Sequence, residues 1–350
     1  MQSLDEKEWG VFKLEDEFEC AKGIYLPTGD VTDGDDPFIT AKSGNNGLTR
    51  FIGNGTLFCG NRITIEKIRL SAYYQSAPFY CSHDVSVINN NNLDANNSQF
   101  IAEMIMRNGS KYSYGRQAQL NVVKRERIML PVTDSGEPDY AYMAEYVQQK
   151  RDTMLSKYRA YVEARIAELG KAIEIPSLDE KEWHDFRIGD LFGISRPVAR
   201  NKDNYLPGDV PFVASGSINN GVMKLCKPLE DEQIDDGCCI TVSPVDGSTF
   251  FQPMNFLGRG GAGSSILMLR CEGLNLYRGQ FMARAIQQTC SKYTYGHMGN
   301  KDSIKRERIM LPVTDSGEPD YKYMEQYSKN MMLRKYQQYL TFLQQRSGAR

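Results

Sequence analysis

A chain of 350 residues with 41% hydrophobic and 25% charged residues has room for two domains with separate cores and the composition of an ordinary globular protein. Its net charge of −2 counts against a protein that grips DNA alone over a broad surface, because Lys and Arg contacts to phosphate supply most non-specific affinity. The acidic start from Met1 to Trp9 has no apolar signal-peptide core, and no run approaches the roughly 18 apolar residues of a membrane span.

In chain order, the first notable segment is Ser3-Leu-Asp-Glu-Lys-Glu-Trp9, which returns unchanged as Ser177 to Trp183. Pro37-Phe-Ile and Asn-Asn-Gly at 45–47 are matched by Pro211-Phe-Val and Asn-Asn-Gly at 219–221. Gly60-Asn-Arg-Ile-Thr-Ile65 and Gly237-Cys-Cys-Ile-Thr-Val242 predict short β-branched strands between Gly and Asn turn signals. Asn89 to Asn97 predicts an exposed Asn-rich loop. Tyr112-Ser-Tyr-Gly115 is matched by Tyr293-Thr-Tyr-Gly296. Lys124 to Tyr140, KRERIMLPVTDSGEPDY, then returns unchanged as Lys305 to Tyr321, seventeen identical residues in a row.

Beyond each of these runs the pattern turns helical. Asp139 and Asp320, each after a proline, offer a carboxylate to the free N–H groups of a first turn. One helix is expected from about 140 to Leu169, stopped by Gly170, and another from about 321 to Gln345, stopped near Gly348. Met143, Val147, Met154, Tyr158, Tyr161 and Leu169 form an imperfect apolar seam, interrupted by the polar Gln148 to Thr153, that needs a partner, and the two helices are each other's obvious partner.

The chain is thus one unit written twice. Ser3 to Ser177 is an offset of 174, and Lys124 to Lys305 is 181, so the second copy carries a net insertion of seven residues. So long a period fits two whole domains rather than a solenoid. The expected divisions are a domain over 1–138, a helix over 139–171, a second domain over 172–319 and a helix over 320–347. The frame segments are identical while the middles differ, so the same frame displays two surfaces.

A search for catalytic chemistry finds little. None of the eight cysteines forms a C-x-x-C pair, so free thiols in a reducing cytoplasm are expected. Gly258-Arg-Gly-Gly-Ala-Gly263 should open a helix to cradle a nucleotide, but Ser264 to Leu269 after it reads as a strand. Asp36-Pro37-Phe38 lacks the second proline of an amino-methyltransferase motif. Pro138-Asp139 has no acid-x-Lys partner on a following strand, and helix capping explains it. His83, His184 and His297 are scattered and support neither a metal site nor a Ser-His-Asp arrangement.

Polar readers of DNA bases are better represented. Ile105 to Arg127 holds six positive residues and one negative, and Arg284 to Arg308 holds six and two. These stripes in an acidic whole suggest a DNA interface shared with a partner. Arg suits guanine, and Gln or Asn suits adenine, through paired hydrogen bonds. The candidates for DNA contact in the first copy are Lys42, Asn45, Asn46, Arg62, Lys111, Tyr112, Tyr114, Arg116, Gln117, Gln119 and Asn121. Those in the second are Ser217, Asn219, Asn220, Arg259, Lys292, Tyr293, Tyr295, His297, Asn300 and Lys301. The four tyrosines also suit a plain role as core or turn aromatics.

This layout resembles the specificity subunits of type I restriction-modification systems and the related specificity subunits of type IIB enzymes. The resemblance rests on the tandem architecture, Pro-Phe-(Ile/Val)…Asn-Asn-Gly, Tyr-x-Tyr-Gly and the basic run into Ile-Met-Leu-Pro-Val before each helix. It implies an α+β fold: two tandem target-recognition domains, each a mixed, β-rich αβ domain, linked by an antiparallel pair of long α-helices. It further implies a bipartite double-stranded DNA target with an unread spacer, and docking of DNA methyltransferase subunits that hold S-adenosylmethionine. An endonuclease or translocase subunit is a further partner in the larger assembly. The chain itself is then expected to be non-catalytic and cytoplasmic, without cofactor, metal or membrane contact. Helices of 25 to 30 residues are short for type I members, which leaves type I and type IIB both open. The alternative is an accessory or anti-restriction protein that mimics such a subunit or sequesters its partners.

Overall fold

The computed structural model describes residues 2–261 and 265–347. The chain divides into two compact units, Met1–Ala160 and Tyr161–Arg350, each mixing helix and sheet. In the first unit an antiparallel sheet has the strand order Glu19–Lys22, Val85–Asn89, Arg62–Glu66, Ala72–Gln75. Its counterpart in the second unit is ordered Gly193–Ser195, Leu267–Arg270, Cys239–Val242, Thr249–Gln252. Alternation drives Ile63 and Ile65, or Ile240 and Val242, into the core. There they meet Ile101 and Ile105 from helix Asn97–Met106, or Met282 and Ile286 from helix Leu276–Cys290.

Each duplicated end segment proves to be the partner of the other. Trp9–Lys13 pairs antiparallel with Arg127–Pro131, and Trp183–Arg187 with Arg308–Pro312. The exit strands also send Ile128 and Leu130, or Ile309 and Leu311, into the two cores. Asp139 and Asp320 start the long helices as expected, accepting from the N–H of Tyr142 at 2.9 Å and of Tyr323 at 3.0 Å. Each carboxylate also takes a lysine from the entry segment, Lys7 at 2.8 Å or Lys181 at 2.9 Å.

The long helices run Tyr140–Leu169 and Tyr321–Ser347, the second slightly past the expected Gln345. Gly170 takes the left-handed φ of 72° that ends the first; the stop near Gly348 lies outside the described residues. The seam is not continuous. Met143 and Val147 pack into the first core, whereas Met154 is 69% exposed and Tyr158 and Tyr161 are half-exposed. The reason is that the first turns lie on their own domain and the later turns run past it. Within the second unit Val162 is fully buried and the Tyr161 ring meets Tyr336 edge-on at 6.4 Å.

The Asn-rich loop is more tightly held than expected: Asn90 reaches the Glu17 carbonyl at 2.6 Å, and Asn97 is buried. Gly260 is glycine because a Cβ would stand 1.9 Å from the Pro197 carbonyl oxygen. A strand, Leu267–Arg270, follows it, although Ala262 to Ser264 lie outside the described residues. All eight cysteines are free thiols. Among the described residues no helix is long and apolar enough to cross a membrane.

Among the described residues the second unit holds a buried ion cluster. Arg200, 8% exposed, reaches Glu232 at 2.8 Å, Asp235 at 2.5 Å and the carbonyls of Gln233 and Gly258. Removing the cation strands two carboxylates in a poorly hydrated site. Arg200→Met should therefore destabilise the protein by about 3–5 kcal/mol, read as a lower urea midpoint; an unchanged midpoint would show that the cluster holds nothing together.

Candidate nucleic-acid interface

Each Tyr-x-Tyr-Gly segment folds as a two-residue turn closed by paired backbone bonds. Ser113 and Arg116 bond at 3.1 and 3.0 Å, and Thr294 and His297 at 3.2 and 2.9 Å. The geometry separates the two tyrosines of each segment. Tyr114 and Tyr295 stand at the tips, 81% and 85% exposed. Tyr112 and Tyr293 point inward and are buried, which removes them from the candidate DNA contacts. Their hydroxyls donate to Glu126 and to Glu307, the latter at 2.6 Å. Lys111 and Lys292 reach the same carboxylates at 3.1 and 2.6 Å. Both glutamates come from the identical seventeen-residue run, a role the sequence reading missed. Burial, then the glutamate that holds each hydroxyl, pushes both buried tyrosines up to about 12.

On this common footing the copies place different side chains in one seat. The Arg116 guanidinium lies 5.9 Å from the centre of the Tyr112 ring. His297, at the matching position, stacks on Tyr293 at 6.1 Å with an interplanar angle of 21°. Both are exposed and carry donors for base edges. Beside Arg116, Gln117 donates to the Tyr114 carbonyl and Gln119 to Gln117, each at 3.2 Å, and Asn121 is exposed nearby on Leu120–Val123. Asn300 has another task. Its side chain caps helix Lys301–Arg306, accepting from Asp302 and Ser303 at 2.9 Å, so its acceptor is committed to the backbone. Lys301, the first residue of that helix, is exposed.

Asn-Asn-Gly is chiefly a backbone device. Asn45, Asn46 and Gly47 have φ of 51°, 55° and 75°, and Asn219, Asn220 and Gly221 have 50°, 52° and 74°. Asn and Gly tolerate this left-handed region best. Asn45 and Asn219 donate to the carbonyls of Leu48 at 3.4 Å and Val222 at 3.0 Å, and Asn46 to Tyr74 and Gln75 at 3.3 Å. The four asparagines are therefore turn-formers first, and Asn45, Asn46 and Asn219 have their side-chain donors already engaged. Lys42 reaches the Leu48 carbonyl at 3.4 Å, and Ser217 is exposed on the matching loop. Arg62 is half-buried, and its Nε finds no hydrogen-bond partner among the described residues. Half-buried Arg259 follows the short strand Leu257–Gly258, its N–H bonded to the Val213 carbonyl at 2.8 Å.

One hairpin in each unit holds both loops. Gln75 donates to the Thr64 hydroxyl at 2.9 Å and the Asn46 carbonyl at 3.1 Å; Gln252 does the same to Thr241 at 3.0 Å and Asn220 at 2.9 Å. At the hairpin's turn, Ala118 N–H bonds Lys67 O at 2.7 Å and Gly299 N–H bonds Pro244 O at 2.8 Å. The signal for this anchor was present, since Thr64 and Gln75 recur at one offset as Thr241 and Gln252. Among the described residues no His, Cys, Asp and Glu cluster is placed to hold a metal ion.

Residues 6–164 and 180–340 each match the family model of the type I restriction modification DNA specificity domain. A curated relative, the type II restriction enzyme BgcI specificity subunit S.BcgI of Heyndrickxia coagulans, is 27% identical over 303 residues, covering 84% of this chain and 85% of that protein. Among solved structures, the type I restriction-modification S subunit from M. genitalium is similar at 11% identity and a TM-score of 0.49, over 99% of this chain and 94% of that one. The HsdS subunit from Thermoanaerobacter tengcongensis is similar at 13% identity and a TM-score of 0.31, over 96% and 91% of the two chains.

The footing under His297 makes a pH prediction. Burial pushes the Glu307 carboxyl up, but the hydrogen bonds and charge of Lys292 and the Tyr293 hydroxyl outweigh it and hold the group below its ordinary value of 4.5. A depressed folded value contributes stability that is full above the unfolded value and is lost as pH falls through the folded one. Glu307→Gln should therefore flatten the decline in melting temperature below about pH 5. A variant with the acid limb of the native protein would remove Glu307 from that role.

Proposed function

The chain belongs to the family of type I restriction modification DNA specificity domains, and on that premise we propose that it reads two separate half-sites of one duplex for a restriction-modification complex. The observation that carries this reading is the shared seat: Arg116 on Tyr112 in one copy, His297 on Tyr293 in the other. An identical footing fixes where the side chain stands, and the side chain fixes which base edge it pairs with. Arg116 suits the O6 and N7 acceptors of guanine, while His297 offers a single ring nitrogen as donor or acceptor. Lys111 and Lys292, half-exposed beside their glutamates, suit phosphate contacts that position without specifying.

The same proposal assigns the chemistry elsewhere. DNA methyltransferase subunits bind S-adenosylmethionine and transfer the methyl group, an endonuclease or translocase completes the assembly, and the chain works with them in the cytoplasm without catalysing a step. The two long helices pair antiparallel and set the distance between half-sites.

Selection from a random duplex pool tests this, with a bipartite motif expected. Arg116→Ala should relax one position of one half-site at a cost of about 1–3 kcal/mol. An unaltered motif would unseat Arg116 as a reader. The helices can be tested separately. Four residues inserted after Gln149, with four more in Tyr321–Ser347, lengthen each helix by about 6 Å. The same half-sites should then appear one or two base pairs further apart, each pair rising ~3.4 Å; an unchanged gap would show that the helices are not the ruler.

A further inference from the structure

Each unit has a second projecting element that none of the candidate readers occupies. The strand leaving the Asn-Asn-Gly turn, Leu48–Ile52 or Val222–Cys226, pairs with the strand ahead of the turn and forms the open edge of its sheet. Phe51 lies opposite Pro37 and Leu225 opposite Pro211, so the two copies place equivalent positions alike. Alternation sets Thr49 and Phe51 on one face in the first unit, and Met223 and Leu225 in the second.

These side chains do not hold the units together. Phe51, Met223 and Leu225 are 50%, 48% and 51% exposed, whereas the next residues inward, Ile52 and Cys226, are fully buried. A half-exposed apolar row on an edge strand invites aggregation unless it has a partner. The position between is basic in both copies, Arg50 and Lys224, and Lys224 is steadied by the Tyr205 carbonyl at 2.9 Å. The element is also rigidly placed, because the turn at its root is bridged by Gln75 or Gln252 to the hairpin that holds the Arg116 or His297 loop.

We propose that this strand is a second base-reading edge of each unit, Thr49 and Phe51 in one half-site and Met223 and Leu225 in the other. The inference rests on the DNA-reading function above. A basic residue between the readers suits a polyanion and disfavours an apolar protein partner. Among base edges of the major groove, the apolar group available to an aliphatic side chain is the C5-methyl of thymine. Each half-site should therefore contain thymine where its edge reaches the groove, met by Met223 and Leu225 in one and by the Thr49 methyl and Phe51 in the other.

The test uses the full chain and the motif it enriches from a random duplex pool. Thymines of each half-site are replaced one at a time by deoxyuridine, which removes only the methyl group. In each half-site a replacement should weaken binding roughly fourfold, the value of one buried methyl group, and Met223→Ala with Leu225→Ala should abolish that difference in one half-site only. Phe51→Ala should abolish the methyl dependence of the other half-site and leave that of the Met223 and Leu225 half-site intact, a split no misfolded chain can produce. A native motif insensitive to every deoxyuridine, or a methyl dependence untouched by all of these variants, would overturn the strand as a reader and leave the DNA-reading function standing. A native chain that enriches no motif would overturn both.

Discussion

Each unit depends on the antiparallel pairing of its entry strand with its exit strand. Trp9–Lys13 on Arg127–Pro131, and Trp183–Arg187 on Arg308–Pro312, close a divergent stretch of more than a hundred residues with the same five register pairs. The exit run has several tasks at once. It fills the core with Ile128 and Leu130, holds the Tyr-x-Tyr-Gly turn through Glu126, and starts the long helix at Asp139, which Lys7 ties back to the entry segment. Residues with so many simultaneous partners cannot vary without loosening core, site and helix together. The identity of exposed Met129 and Met310 has no such account in the structure.

Constancy of the frame is what lets the site vary. The Gln75 and Gln252 bridges and the Tyr112 and Tyr293 footings fix two loops on one hairpin through bonds that ignore the outward side chains. Exchanging Arg116 for a histidine in that seat leaves every anchoring hydrogen bond intact. A preorganised reader loses little conformational entropy on binding, so its side-chain chemistry is expressed in full as discrimination.

The architecture was legible in the sequence because duplication marks it directly, and the helix starts because an aspartate after proline at the edge of a helical pattern has a local cause. What was not legible depended on side-chain direction. Tyr112 and Tyr114 look alike in the sequence, yet a two-residue turn sends one to Glu126 and the other to solvent. Asn45 and Asn46 resemble base readers, while their backbones are left-handed and their donors satisfied locally. The polar break from Gln148 to Thr153 marks the seam as interrupted, but periodicity does not say that the helix leaves its own domain just there, after Val147. Gln75 gives no signal alone, and its meaning lies in Thr64, eleven positions away, across a hairpin.

Identical exit strands also create a problem of assembly. Arg308–Pro312 offers Trp9–Lys13 the same backbone and side chains as Arg127–Pro131 does, and Asp185 would find in Arg127 the counter-ion it has in Arg308. Neither strand pair can therefore distinguish its rightful partner by local chemistry. Loop closure favours the nearer one by only about 0.6 kcal/mol for each doubling of the intervening chain. Order of synthesis discriminates more strongly: residue 131 leaves the ribosome before residue 183 is made, so the first entry strand meets one exit strand only. A chain refolded from denaturant lacks that schedule, and a fraction trapped in crossed pairings is the cost of building two readers on one frame.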